Sequence, residues 1–335
     1  MTTFVPVTAP AWGDAARSAA SALESADAWA ANEPVEALVR AFGGEPPSGT
    51  ASERLAWLDR FSEEHWDFRA GQERNLARAV EFGEPTTELI LAAAGALGMT
   101  SSIPPSASRF SHLLILGGLV RACLLRPRFA ADLVRDGLEV GSISALSAFR
   151  PLRGDENELL ALLDQSSKSN EMEVMQAGLM TAFDLGDPIE GWHEEEGKSD
   201  FATSLVRTWH RDGVPVRLVI APSPEPQVRR ANSADTYAYW ADRCVQLQSE
   251  DSILLVTSSI YLPYQHAEAV RMLALPHGCS VETVGIDFSR HELGALRQPF
   301  TPANYLQEIR SAIRAVRALR DTALAMLGAS PDVAR

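Results

Sequence analysis

The feature that most limits the fold of this chain is a change in its hydrophobic pattern near Ser111. Before it, residues 1–100 carry apolar side chains at three- and four-residue spacings, the period of amphipathic helices. After it, short apolar runs alternate with helical segments, which is typical of strand–helix–strand units. The sequence therefore predicts an α/β fold with a Rossmann-like, mostly parallel sheet flanked by helices, and an N-terminal all-helical region.

Chain-breaking residues separate the two patterns. Gly98 and the pair Pro104-Pro105 end the helical pattern, so the sequence predicts a helical cap region over 1–105 and a Rossmann-like domain over 106–335. That second domain is expected to end in the long helix Thr301–Leu327. The acidic run Glu194–Lys198 is expected to lie in an exposed loop.

The individual elements follow from the same periodicities. Helices are predicted at Trp29–Ala41, Ala51–Glu63, Ala70–Phe82, Thr86–Leu97, Leu119–Gly137, Asn170–Asp184, Ala234–Leu247 and Pro263–Leu275. Strands are predicted at His112–Leu116, Val140–Phe149, Ser204–His210, Val214–Ala221, Ser252–Thr257 and Ser280–Ile286.

Charge and composition exclude several classes of function. With 30 basic and 44 acidic residues the net charge is −14, which disfavours binding to nucleic acid or to anionic membranes. No apolar run approaches the roughly 20 residues that span a bilayer, and the N-terminus does not resemble a signal peptide. The three cysteines form no CxxC pair, so neither a disulfide framework nor a metal site is expected. We expect a cytoplasmic protein.

Ligands of open parallel sheets bind outside the carboxyl ends of the strands, so the residues that follow each predicted strand are the candidates. The first group is Gly117-Gly118 with Arg121, where backbone N–H groups and a helix N-terminus would attract an anion. The alternative is a tight turn with a surface arginine. The second group is Arg150 and Arg153, which would clamp an anion unless they lie in a solvated loop.

Two further groups lie later in the chain. Asn232, Asp235 and Thr236 precede or begin a helix, where they would contact a ligand or simply cap that helix. The last predicted strand before residue 260 ends in hydroxyl groups and is followed by two tyrosines and a histidine that could transfer a proton. These residues are Thr257, Ser258, Ser259, Tyr261, Tyr264 and His266. A structural role for His266 is the alternative.

In order and spacing, these segments resemble the YdcF/SanA/ElyC family over residues 111–287. The matching motifs are Leu116-Gly117-Gly118 with Arg121, Ser144–Phe149, Glu171–Met175, Asn232–Thr236 and Leu255–Tyr264. The resemblance implies a Rossmann-like sheet, adds Glu171 to the ligand-binding residues and makes S-adenosylmethionine a candidate ligand. The chain departs from the family at Tyr261, Tyr264 and Asp235, where the family has His, Arg and Asn.

Three functional hypotheses remain open. The first is a cytoplasmic enzyme that acts on a small anionic or nucleotide-like metabolite by metal-independent group transfer or hydrolysis. Tyr261 or His266 would then transfer the proton, and the glycine turn with the arginines would bind the anion. The second is a non-catalytic protein that binds a nucleotide or S-adenosylmethionine. The third is an interaction protein whose helical parts form an oligomer such as a homodimer.

Overall fold

The structure is a computed structural model that describes residues 3–68, 80–195 and 200–329. The chain forms two compact units. The first consists of Met1–Ile103, Ser259–Val281 and Pro299–Arg335, and the second of Pro104–Ser258 and Glu282–Gln298. The long C-terminal helix therefore groups with the N-terminal helices, whereas the sequence placed it with the sheet.

The first unit is helical. Its helices are α1 (Ala19–Trp29), α2 (Glu33–Ala41), α3 (Ala51–Trp66), α4 (Glu84–Ala96), α9 (Leu262–Ala269), α10 (Leu275–His277) and α11 (Pro302–Ala329). At the N-termini of several of these helices, a polar side chain accepts a hydrogen bond from a backbone N–H group of the first turn. Asn32 caps α2, and Thr50 forms a reciprocal capping box with Glu53 at α3.

Helix α11 forms the centre of this unit. Leu306, Ile309 and Ile313 lie on one buried face at helical spacing. Arg317 and Arg320 follow Ile313 by four and seven positions on the same side of the helix and reach acidic residues of neighbouring helices. Arg317 lies 2.7 Å from Asp59 of α3, and Arg320 lies 2.6 Å from Asp27 of α1. The arginines that the sequence places along this helix therefore connect it to two others.

The second unit contains the sheet. Its elements are β1 (Arg109–Ile115), α5 (Val120–Arg135), β2 (Glu139–Ser147), α6 (Asp155–Leu162), α7 (Glu171–Phe183), β3 (Glu190–Glu195), β4 (Thr203–Arg211), β5 (Val214–Ile220), α8 (Ser233–Tyr239), a π-helix (Trp240–Val245) and β6 (Ser252–Ser258). Strand β7 (Ser280–Ile286) completes a seven-stranded sheet in the described chain, with the order β3-β4-β5-β2-β1-β6-β7.

The pairing confirms the predicted α/β class. Strand β1 pairs in parallel with β2 and β6, and β2 pairs in parallel with β5. Strands β3, β4 and β5 pair antiparallel. From β1 the chain crosses to β2 on one side, and β6 lies on the other side, so the strand order reverses at β1 and β6. A ligand crevice is expected at the carboxyl ends of these strands.

Side chains along β2 alternate between the two faces of the sheet. Ile143 and Ala145 belong to a buried apolar cluster that includes residues of α5 and α7. Ser142 and Ser144 point to the opposite face. The two faces are therefore chemically different, because one is an apolar core and the other carries buried hydroxyl groups.

Several element boundaries differ from the prediction. The predicted helix Trp29–Ala41 is divided by the cap at Asn32. Of the acidic run Glu194–Lys198, predicted to lie in a loop, Glu194 and Glu195 belong to β3, and residues 196–198 lie outside the described residues. The structure also contains α6 at Asp155–Leu162, where the sequence predicts no helix or strand. The predicted helix Ala70–Phe82 lies largely outside the described residues. No helix in the described part of the chain has both the length and the apolar character needed to cross a bilayer.

A glycine sets the distance between α5 and α7. A Cβ on Gly178 would overlap the carbonyl oxygen of Cys123. We expect Gly178→Ala to lower the free energy of unfolding by about 1–3 kcal/mol, because the helices must separate. Urea denaturation measures it. Gly186→Ala is the matched control, since that position is open. Equal stability of the two variants would contradict this packing.

Candidate functional site

The carboxyl end of β1 leads into the turn Gly117-Gly118, as the sequence predicts. Glycine is required at the first position because of close neighbours. A Cβ on Gly117 would lie 2.5 Å from Glu171 Oε1 and 2.6 Å from the carbonyl oxygen of Leu146. The absence of a side chain therefore lets the start of α7 approach the end of β1.

Arg150 lies buried beside this turn and uses all five of its N–H groups within the protein. Its Nη1 and Nη2 each donate at 2.8 Å to one oxygen of Glu156, and Nε donates at 2.9 Å to Glu171 Oε2. The remaining N–H groups reach the carbonyl oxygens of Pro151 at 3.3 Å and Gly118 at 3.2 Å. Two protein carboxylates thus take the place of the anion that Arg150 is predicted to bind.

Glu156 holds the position at which an anion was expected. Besides Arg150, its carboxylate accepts hydrogen bonds from the backbone N–H of Val120 at 3.1 Å and of Arg153 at 3.3 Å. Val120 is the first residue of α5, so the carboxylate satisfies the positive end of that helix. Burial raises the pKa of Glu156, but the hydrogen bonds and charge of Arg150 outweigh burial and lower it.

The pKa of Glu171 shifts in the opposite direction from that of Glu156. Burial raises the pKa of its carboxyl group, and the opposing effects of Arg150 and Arg230 do not compensate. Oxygen Oε2 is fixed by Arg150, whereas Oε1 faces Gly117 and accepts no hydrogen bond from any described residue. Ser147 Oγ is also buried and has no hydrogen-bond partner in the part of the chain that the structure describes, and the Ser147 Cα lies 3.4 Å from the Cβ position of Gly117.

A second buried arginine spans the point where the strand order reverses. Arg126 of α5 donates from Nη1 to the carbonyl oxygens of Leu116 at 2.8 Å and Gly117 at 2.5 Å. Its Nη2 and Nε donate to Ser258 Oγ, at the end of β6, at 3.0 and 3.3 Å. This residue connects the carboxyl ends of β1 and β6. Ser258, predicted to contact a ligand, is a partner of this arginine.

The segment before α8 caps that helix. The Asn232 side chain accepts from the Asp235 N–H at 3.1 Å, and Asp235 Oδ2 accepts from the Asn232 N–H at 2.8 Å. Thr236 Oγ1 donates to the Asn232 carbonyl oxygen at 2.9 Å, and Arg229 contacts the Asp235 carboxylate at 2.5 Å. The capping alternative therefore describes the geometry, and ligand contact by Asn232, Asp235 and Thr236 stays a prediction.

Comparisons with known proteins cover most of the chain. A family model described as the Rv3785 N-terminal domain matches residues 13–98, all of which lie in the first unit. The uncharacterized proteins Rv3785 of Mycobacterium tuberculosis and Mb3814 of Mycobacterium bovis are each 37% identical over 330 residues, which cover 90% of either chain. The chain belongs to the Rv3785 family. No solved structure matches it. For this Rv3785-family protein, the resemblance to YdcF/SanA/ElyC stays a prediction.

The remaining candidates of this Rv3785-family protein divide between the units. Arg121 Nη1 lies 3.7 Å from the Asp155 carboxylate, and the side chain of Arg153 is exposed. Thr257 is buried in β6. Ser259, Tyr261 and Tyr264 belong to the first unit, together with His266. Ser259 Oγ is buried without a partner among the described residues, and Tyr261 packs edge-on against Phe300. Ligand contact by these residues stays a prediction.

His266 is a core residue of the first unit. It is 0% exposed, its ring stacks on Trp12 at 4.8 Å, and its Nε2 lies 3.1 Å from the carbonyl oxygen of Pro10. Burial lowers its pKa to about 4, against the opposing effect of those backbone contacts. The imidazole is therefore neutral near pH 7 and has no exposed atom with which to serve a substrate.

Sequence reasoning missed two of the residues that shape the site, Arg126 and the carboxylate role of Glu156. Arg126 had a visible signal, because it follows Cys123 and Ala122 at helical spacing on the buried face of α5. Glu156 had none beyond its place in an acidic stretch. Within residues 3–68, 80–195 and 200–329, no group of three or more His, Cys, Asp or Glu side chains is arranged to hold a metal ion.

Acidification should expose the cost of burying His266. Between its unfolded pKa of about 6.5 and its folded pKa of about 4, the unfolded chain binds a proton that the folded chain does not. The free energy of unfolding therefore decreases as the pH is lowered through this window. We expect this group to contribute a loss of about 2 kcal/mol between pH 7 and pH 5.

Urea unfolding of wild type and of His266→Gln at both pH values measures this contribution as the difference in pH dependence. His210→Gln, at an exposed position, is the control and should behave as wild type. Parallel pH profiles for wild type and His266→Gln would contradict the burial of a neutral imidazole.

Proposed function

We propose that the sheet-containing unit binds a small metabolite at the carboxyl edge of its parallel strands, next to Glu171. One observation carries the proposal. The buried Glu171 carboxylate has one oxygen held by Arg150 and the other open to accept a hydrogen bond beside the Gly117 turn. Ligands of open parallel sheets bind at this edge, so a carboxylate oxygen there that accepts no hydrogen bond from a described residue favours a ligand.

The neighbouring groups indicate the chemistry of that ligand. Glu171 Oε1 would accept from a hydroxyl or amino group, and the unpartnered Ser147 hydroxyl would add a second polar contact. An anionic part would not bind at the start of α5, because Glu156 already occupies that position. It would instead meet the exposed Arg153 side chain at the same edge. Nucleotides and S-adenosylmethionine carry hydroxyl, amino and anionic groups together.

Catalysis is the second candidate, and the raised pKa of Glu171 favours it. A carboxyl group with a raised pKa in a crevice can act as a general acid or base. In this form of the proposal, Glu171 replaces Tyr261 and His266 as the group that transfers a proton during metal-independent group transfer or hydrolysis. The cytoplasmic location expected from the sequence belongs to the same proposal.

Thermal unfolding with S-adenosylmethionine and AMP as probes tests ligand binding. A probe at a hundred times its Kd should stabilise wild type by about 2.7 kcal/mol. Glu171→Gln keeps an oxygen for Arg150 but removes the carboxylate, so this stabilisation should be lost. Glu158→Gln, an exposed position on α6, is the matched control and should keep it.

The outcomes separate the two forms of the proposal. A bound probe recovered unchanged by mass spectrometry supports a binding protein, whereas a converted probe whose conversion stops in Glu171→Gln supports an enzyme. Equal stabilisation of wild type and Glu171→Gln would overturn the assignment of the site. No stabilisation by either probe would exclude these two ligands.

A further inference from the structure

The face of the sheet opposite the α5–α7 core carries a second polar cluster. His112 of β1 and Ser142 of β2 are paired in register, and His112 Nδ1 lies 2.8 Å from Ser142 Oγ. On the other side of the ring, Nε2 lies 3.4 Å from the Asp251 carboxylate. The indole of Trp240 packs edge-on against the imidazole at 5.5 Å. The π-helix that begins at Trp240 therefore lies over this part of the sheet.

The next residues along the same face bring in a cation. Ser144 follows Ser142 by two positions, and its register partner on β5 is Arg217. The Arg217 side chain is half-buried, and among the described residues its guanidinium has neither a hydrogen-bond nor an ion-pair partner. Burial lowers the pKa of His112 and the Arg217 charge adds to that effect, whereas at Cys244 burial raises the pKa and the Arg217 charge opposes the rise. Arg217 thus lies between the sheet and the π-helix.

Two buried donors on this face also lack partners. Ser144 is 1% exposed and Trp240 is 0% exposed, and neither Ser144 Oγ nor Trp240 Nε1 forms a hydrogen bond with a described residue. A buried donor without an acceptor destabilises the folded chain, and a half-buried guanidinium is stabilised when an anion pairs with it. These two buried donors, together with the half-buried Arg217 guanidinium, favour an acceptor that the described residues do not supply.

We propose that Arg217, Ser144 and Trp240 form a binding site for a small oxyanion, a carboxylate or phosphate group, between the sheet and the π-helix Trp240–Val245. A guanidinium, a hydroxyl and an indole N–H are all hydrogen-bond donors, and an oxyanion supplies acceptors for all three. His112 does not compete for the anion, because its ring nitrogens contact Ser142 and Asp251. π-Helical turns occur frequently at functional sites.

This site is separate from the one around Glu171. Ser144 points to the face opposite Ile143 and Ala145, whereas Glu171 begins α7, which packs on the face of those residues. The inference therefore stands or fails independently of the proposed metabolite site.

Cys244 provides a built-in reporter for this site. It lies on the π-helix and is half-buried, whereas Cys123 and Cys279, the other two cysteines of the chain, are buried. Burial raises the pKa of Cys244 to about 12, and the charges of Arg217 and Arg243 oppose that rise. An anion bound to Arg217 would offset the effect of the guanidinium charge on Cys244 and so disfavour the reactive thiolate, which should slow modification by a thiol reagent.

The experiment measures the rate at which the reagent DTNB modifies the full-length protein, with inorganic phosphate or succinate against potassium chloride at equal ionic strength. We expect one of the two anions to slow modification of wild type severalfold, and the one that does so identifies phosphate or carboxylate as the ligand group. Arg217→Gln should abolish the protection. Arg243→Gln is the matched control, because Arg243 is exposed and also acts on Cys244, and it should keep the protection.

A second measurement does not depend on the thiol. In the ¹H–¹⁵N spectrum, the indole N–H of Trp240, assigned with Trp240→Phe, should shift during titration with the protecting anion, and Arg217→Gln should remove that shift. Equal protection and equal shifts in Arg217→Gln and wild type would overturn the proposal. So would the absence of any anion effect on both the thiol and the indole.

Discussion

The carboxyl edge of the sheet depends on one buried guanidinium. Arg150 joins the carboxylates of Glu156 on α6 and Glu171 on α7 to the carbonyl oxygen of Gly118 before α5. Removing these charges from water costs several kcal/mol each, and such a cluster is tolerated only when its donors and acceptors are matched. Arg150 meets that condition with all five N–H groups, so it determines where three helices begin relative to β2.

The same matching bears on the ligand site that we propose. A turn of two glycines before a helix commonly receives an anion, because backbone N–H groups and the helix dipole point toward it. Here the Glu156 carboxylate receives the N–H of Val120 and neutralises Arg150 as well. The open acceptor is displaced to Glu171 Oε1, across the position where Gly117 has no side chain. In the metabolite site that we propose, a ligand that donates hydrogen bonds to a carboxylate would therefore be favoured over one that presents only a phosphate.

Local patterns predicted what depends on local chemistry. The change of period near Ser111, the glycine turn and the Asn232 cap all follow from neighbouring residues, and the structure contains each of them. The partners of Arg126 and His266 could not be predicted from local patterns. Arg126 meets Ser258 across 132 positions of the chain, and His266 meets Pro10 across 256. A single sequence carries no period that reports such pairings.

Strand β3 is an element whose local composition favours the wrong structure. Its residues Glu190–Glu195 are rich in acid and resemble a solvated loop, yet they pair antiparallel with β4 as the edge strand. Charged residues on edge strands discourage pairing with other chains, so composition alone cannot tell such a strand from a loop. Pairing with β4 determines that this segment is a strand, and that pairing cannot be deduced from the composition of the segment itself.

The coupling free energy between Arg150 and Glu156 tests the central claim most directly. It comes from urea unfolding of wild type, Arg150→Met, Glu156→Gln and the double variant. If the guanidinium and the carboxylate stabilise the edge as a unit, each single variant loses several kcal/mol and the double variant loses less than their sum, with a coupling of at least about 1.5 kcal/mol. Losses that add to within about 0.5 kcal/mol would show that the two groups act independently, and the account of the carboxyl edge would be contradicted.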